Sequence, residues 1–156
     1  MPYTPTTPTL TLCDDLVDAI NAAWTPSDPD AVERRYLERI DLDGLRGRRV
    51  FFFPAGYDNR PATRGHDDYT HRITCLVVEK YPDAGDPPRE WIDERVDFVH
   101  TQVVQGLDFS RAPPSFNRQV LTLSADVPAV YDAEMLTTKK QFWCAVELVF
   151  VEFRSA

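Results

Sequence analysis

His66-Asp67-Asp68-Tyr69-Thr70-His71 places two imidazoles and two carboxylates within six residues, and these are side chains that ligate divalent ions. Such a set holds a metal only where the chain folds back and the donors converge. The spacing matches no zinc signature, and a strand running out of this segment would send Asp68 and His71 in diverging directions. A small metal-dependent hydrolase using the His66–His71 loop is therefore the catalytic reading, and polar residues at a strand entrance the competing one. Other chemistry is sparser. There is no G-x-S-x-G and no phosphate loop, and the six glycines never cluster. Cys13, Cys75 and Cys144 are far apart, form no C-x-x-C and sit within apolar residues, the pattern of buried, reduced thiols. His100 falls on the polar flank of a helical pattern that Asp93, Glu94, Asp97 and Arg95 also decorate. Asp132 and Glu134 can do acid–base work only inside a cleft. The expectation is a protein with no catalytic, cofactor-binding or metal-ligating residues.

Composition narrows the partners. A chain of 156 residues suits one domain and can bury about 70% of its unfolded surface without staples. The net charge of −8 argues against nucleic acid, whose binding runs on clustered bases. The charge is uneven. Residues 1–32 carry five acids and no base, residues 33–72 nine arginines against seven acids, and residues 73–156 eight bases against thirteen acids. A mildly basic middle between acidic flanks is what a head-to-tail contact between copies requires, although every folded surface is also a charge mosaic. Fourteen of the seventeen bases are Arg, and Arg34, Arg35, Arg48, Arg49, Arg60 and Arg64 lie near the loops of that middle. Arginine is enriched at interfaces because its planar fork pairs carboxylates and stacks on rings. No apolar stretch reaches the ~20 residues of a membrane span, and residues 1–8 lack the basic and apolar regions of a secretory signal. A soluble, unexported protein is expected.

The elements that must position these residues follow from periodicity. Residues 1–9 form a flexible Pro/Thr-rich arm, and residues 10–156 a single α+β domain. Leu12, Leu16, Ile20 and Ala23 predict a helix with Thr11 as cap and Trp24-Thr25-Pro26 as its end. Residues 32–42 are ambiguous and are taken as a strand. Val50–Phe53 reads as a buried strand ended by Pro54, residues 55–69 as a long polar loop, and Thr70–Tyr81 as a strand. Asp86-Pro87-Pro88 opens a second helix whose stripe is Ile92, Val96, Val99 and Val103, with Gly106 its stop. After a loop at Pro113-Pro114, Gln119–Ser124 and Phe142–Phe153 are strands. The architecture expected is a mainly antiparallel sheet of four to five strands with two helices packed on one face. The last strand is apolar on both faces, interrupted by Glu147. Two helices scarcely cover both faces of such a sheet, so a partner surface is expected on the second. Trp143, Glu147, Val149 and Val151 would lie there, with Arg60 and Arg64 in the loop as further contacts. The arm or the long loops are the alternative cover.

In order along the chain stand Asp43–Val50 running to Pro54, the Arg60 and Arg64 loop ending in Asp68-Tyr69, the strand ending at Lys80, an amphipathic helix, Val130–Leu136, and the strand from Phe142 to Arg154. This succession, over about residues 10–154, resembles the phage tail terminator (tail completion) proteins. The proline-rich start and the Phe51-Phe52-Phe53 run are less typical of them. The resemblance implies a hexameric ring that caps the tail tube, ends its growth and offers a docking surface to the head connector. Its partners would be further copies of itself, the tail tube protein and the head–tail connector protein. It implies a virion component assembled in the host cytoplasm, and no cofactor. A head–tail connector or neck protein of similar fold is the alternative within the same assembly.

Overall fold

The computed structural model describes residues 3–24, 31–36, 47–108 and 119–155. The first helix, α1, spans Pro8–Ala23 and buries Leu12, Cys13, Leu16 and Ile20. It begins a turn earlier than the Thr11 cap suggests. Pro8 occupies the first turn, where its missing N–H is no loss, and Thr7 precedes it without a side-chain cap. The Thr11 hydroxyl instead donates back to the Pro8 carbonyl at 3.0 Å. The end is as expected, with the Trp24 N–H on the Ile20 carbonyl at 2.8 Å.

Five strands form one sheet: β1 (Val32–Arg34), β2 (Arg49–Thr63), β3 (His66–Lys80), β4 (Gln119–Asp126) and β5 (Gln141–Ser155), in the order β1-β2-β3-β5-β4. Only β1 and β2 run parallel; the other pairs are antiparallel. The class is thus the α+β sheet with helices that periodicity predicts. Of the ambiguous stretch only Val32–Arg34 is strand among the described residues. Arg35 and Tyr36 follow it outside any strand, and residues 37–42 and the Pro113-Pro114 loop lie outside the described residues.

The long polar loop is a correction. Pro54 does not end the strand, and residues 55–69 are not a loop: β2 continues to Thr63, turns at Arg64-Gly65 and returns as β3 from His66. Proline is tolerated because the register slips between Pro54 and Gly56, and a bulge accepts a residue without an N–H. Gly65 takes the turn with φ +92°. Polar side chains disguise this hairpin in sequence, yet its backbone pairs as well as any, and β5 follows β3 to His66↔Ser155.

Helix α2 (Arg89–Phe98) continues as a π-helical segment over Val99–Gln105, with Gly106 as C-cap. The widened turn alters the expected stripe. Phe98 is buried with Val99 and Val103, while Ile92 and Val96 are half-buried. Together α1 and α2 cover one face of the sheet. The core there holds Val50 and Phe52 of β2, Ile73, Cys75 and Val77 of β3, and Phe142 through Phe150 in alternation along β5.

A third helix, α3 (Ala133–Lys139), was not foreseen. It is too short to display a period. The Asp132 carboxylate caps it, accepting the Met135 N–H at 3.1 Å, and Lys140 in the left-handed region (φ 55°) turns the chain into β5. Ala133, at its start, lines the same pocket on the sheet's second face as Phe53 and Trp143.

Candidate interaction surface

Alternation along β5 divides its residues as the sequence predicts. Phe142, Cys144, Val146, Leu148 and Phe150 are buried beneath the helices, and Trp143, Ala145, Glu147, Val149, Val151 and Phe153 face the other way. Cover on that second face changes along the strand. At the β5 start, Phe51, Phe53, Leu76 and Val78 form a second buried cluster against Trp143. The Trp143 indole N–H donates to Gln141 Oε1 at 2.9 Å, and the Arg35 guanidinium lies 4.6 Å from the Phe51 ring centre. Beyond it the cover thins. Glu147 is exposed, Val149 and Val151 are half-buried, and Phe153 is 44% exposed. Strand β4 adds Leu121, directly across from Val151, and Leu123 at a bulge; they are 39% and 55% exposed. The result is an apolar strip two strands wide.

Between the covered and open parts runs an apolar groove of about 620 Å³, with Phe53, Leu76, Trp143 and Ala145 as its floor and Pro128 and Tyr131 on its wall. The wall segment closes against β5 through the Asp132 N–H on the Trp143 carbonyl at 2.9 Å. Its one charged lining group, Asp132, is occupied as the α3 cap.

The arginines fall into two sets. Arg34 pairs with Asp14 and Arg35 with Glu33. Arg48 and Arg95 both grip Glu79, which is 7% exposed, at 3.0 and 2.5 Å. Arg48 also lies over the Phe98 ring and Arg95 over the Trp91 ring. Arg34, Arg48 and Arg95 thus tie helices to the sheet, whereas Arg35 stays on the sheet's second face over Phe51. Arg60 and Arg64 differ: both are exposed on the hairpin, and neither has an ion-pair partner among the described residues. Arg60 stands across from Asp68 without a bond to it.

The histidine cluster does not converge. His66 is exposed at the hairpin, whereas His71 points beneath α1 with no exposed surface. Among the described residues no group of three or more His, Cys, Asp or Glu is placed to hold a metal. His71 belongs to a different arrangement. Its Nδ1 lies 2.8 Å from Thr9 Oγ1 and its Nε2 2.9 Å from Glu152 Oε2. Arg154 Nε donates to Glu152 Oε1 at 2.7 Å, and Tyr69 stacks on the imidazole. Hydroxyl, imidazole and carboxylate in line is the connectivity of an activated nucleophile. Here Thr9, His71 and Glu152 are 2%, 0% and 1% exposed, so no substrate reaches the hydroxyl in this conformation. The chain of bonds instead ties the first turn of α1 to β3 and β5. Sequence reading missed it because the partners lie 62 and 81 residues from His71. One signal was present: Glu152 follows Phe150 in the buried alternation, and a buried carboxylate needs partners.

The thiols are buried and unpaired with one another. Burial pushes Cys13 up to about 12 and Cys144 up to about 11, and raises Cys75 as well, so none is activated. Asp93 and Asp97 are exposed on α2 and Glu134 on α3, a solvated placement and not an acid–base cleft. No helix among the described residues is long and apolar enough to cross a membrane. No protein-family model matches the chain, and no curated protein is significantly similar to it.

Proposed function

We propose that this chain is a non-catalytic assembly protein of the phage tail terminator type, one that associates with copies of itself into a ring closing the tail tube. The ring would end tube growth and present the surface on which the head connector docks. The observation that carries self-association is the uncovered strip on the second sheet face, where Val149, Val151 and Phe153 of β5 adjoin Leu121 of β4. A strip of this kind against one or more neighbours gains the burial that α1 and α2 give the opposite face. The hairpin offers Arg60 and Arg64, exposed and without an ion-pair partner among the described residues, to carboxylates of a neighbour or of the tube. Both ends of a head-to-tail contact then lie on one chain, and a heterologous contact whose rotation closes makes a ring.

The name terminator rests on the order of motifs from Asp43 to Arg154, and the hexamer on that resemblance alone. Mass measurement in solution tests the self-association: a ring-sized particle is expected, and a strict monomer at high concentration, with or without tube protein, would refute it. Electron microscopy of virions lacking the protein separates the two assembly roles. Over-long, uncapped tails are the terminator outcome. Normal-length tails that fail to join heads would assign the chain to the connector.

A further inference from the structure

We infer that the proline-rich arm ahead of α1, centred on Tyr3–Thr7, seats in the Phe53–Trp143 groove of a neighbouring copy. This deepens the self-association proposed above and rests on it. Pro2, Pro5 and Pro8 recur every third residue in the sequence, the repeat of a polyproline II helix with its three residues per turn, and Pro8 then opens α1. Thr7, at the base of the arm, has φ −63° and ψ 126°, within the scatter of that conformation. Tyr3 is 85% exposed, the most exposed large hydrophobic side chain among the described residues.

The groove has the complementary character. Phe53, Trp143, Tyr131 and Pro128 are the rigid rings between which polyproline segments pack in peptide-recognition domains. Its volume of about 620 Å³ lies in the range of formed ligand pockets. The arm bears no charged side chain from Pro2 to Leu12, and the groove's one carboxylate, Asp132, is exposed and caps α3 through the Met135 N–H. A neutral arm therefore brings no side-chain charge of its own to be desolvated on the apolar floor, which a charged peptide would do.

Reach decides that the groove belongs to another copy. Thr9 is held to His71 on the helix-covered side of β3, the middle strand of five. Tyr3 lies five residues before Pro8, where α1 begins, so a polyproline II arm carries it about 16 Å from the helix start. The groove opens on the opposite side of the sheet. At the level of His71 the nearer edge is β2 at Tyr57, because β1 pairs only with Val50–Phe52. Passing it means about 5 Å outward, about 10 Å through the layer and about 5 Å back, and the groove residues Thr74 and Leu76 lie about 10 to 16 Å further along β3, together more than the arm spans. Between copies this limit does not apply.

Disulfide trapping in the full chain tests the inference. The three native thiols are buried and do not compete. Chains carrying Thr4→Cys are mixed with chains carrying Ala145→Cys on the groove floor, oxidised, and run without reductant; Glu90→Cys, exposed on α2, replaces Ala145→Cys as control. The expected result is a linked heterodimer formed about tenfold or more faster than with the control, reflecting the effective concentration of a docked arm. Adding Tyr3→Ser to the Thr4→Cys chain is expected to remove most of that advantage. Equal linkage with both partners overturns the inference, as does closure within single chains when both cysteines share one chain. The particle mass of the same samples separates the failures. Oligomers without the Thr4–Ala145 link refute the arm alone, and monomers refute the self-association with it.

Discussion

Replacing Phe153 by Ser probes the second sheet face where it is least covered. An aromatic side chain can bury roughly 200 Å², and with 44% of Phe153 exposed about 90 Å² of it is left for a neighbour to cover. At ~25 cal/mol per Å² that area is worth about 2 kcal/mol per contact, and differences between variants are the most dependable use of such figures. Phe153→Ser should therefore weaken subunit association about thirtyfold, read as the shift in the concentration dependence of mass by sedimentation equilibrium. The variant also loses internal packing, so a matched control is needed. Tyr57 is 50% exposed and pairs with His71, which places it on the helix side of the sheet. Tyr57→Ser removes a comparable ring and should lower thermal stability to a similar degree while leaving association unchanged. Equal shifts in association for the two variants, or none for either, would show that the strip is not the contact.

The clamp on Glu79 predicts a stability effect with no direct part in assembly. Glu79→Ala removes one carboxylate from Arg48 and Arg95, whose side chains are only 11% and 14% exposed; Glu94 still pairs with both, so the change should cost about 1.5–3 kcal/mol in urea unfolding. The thiols predict an alkaline limb. Cys13 is raised from 9.0 to about 12, with burial the main cause, so above pH 9 the unfolded chain gives up a proton that the folded chain keeps. Its contribution is whole below pH 9 and is lost as the pH climbs from there towards 12, at about 1.4 kcal/mol per pH unit. Unfolding free energies of Cys13→Ala should fall less steeply than wild type between pH 9 and 10.5; parallel curves would count against a buried thiol. Charge reversal of the hairpin by Arg60→Glu with Arg64→Glu should alter stability by no more than about 0.5 kcal/mol, since both are exposed. It should also abolish the salt sensitivity of association; an unchanged salt dependence would remove the hairpin from the interface.

Legibility in the sequence follows how local the physics is. The stripe Leu12, Leu16, Ile20 and the twin alternations of Phe142–Phe153 were readable because a helix or strand period is written into neighbouring residues. Element order and class followed. The hairpin of β2 and β3 was not legible, because the bulge after Pro54 is a pairing event and the hairpin's polar side chains carry no period. Nor was α3, with seven residues and one buried side chain, Leu136.

The sequence alone determined that β5 is apolar on both faces, because alternation sends each side chain to a known side. Only tertiary structure decided where along that second face the cover stops. Trp143 meets Phe53 and Leu76 brought from other strands, while Phe153 meets a short edge strand and solvent. The same holds for the arginines. Their number is a property of the chain, but whether one clamps a helix, as Arg48 does, or has no ion-pair partner among the described residues, as with Arg60, depends on which carboxylate folding brings within about 3 Å. For Arg48 that carboxylate is Glu79, 31 residues away.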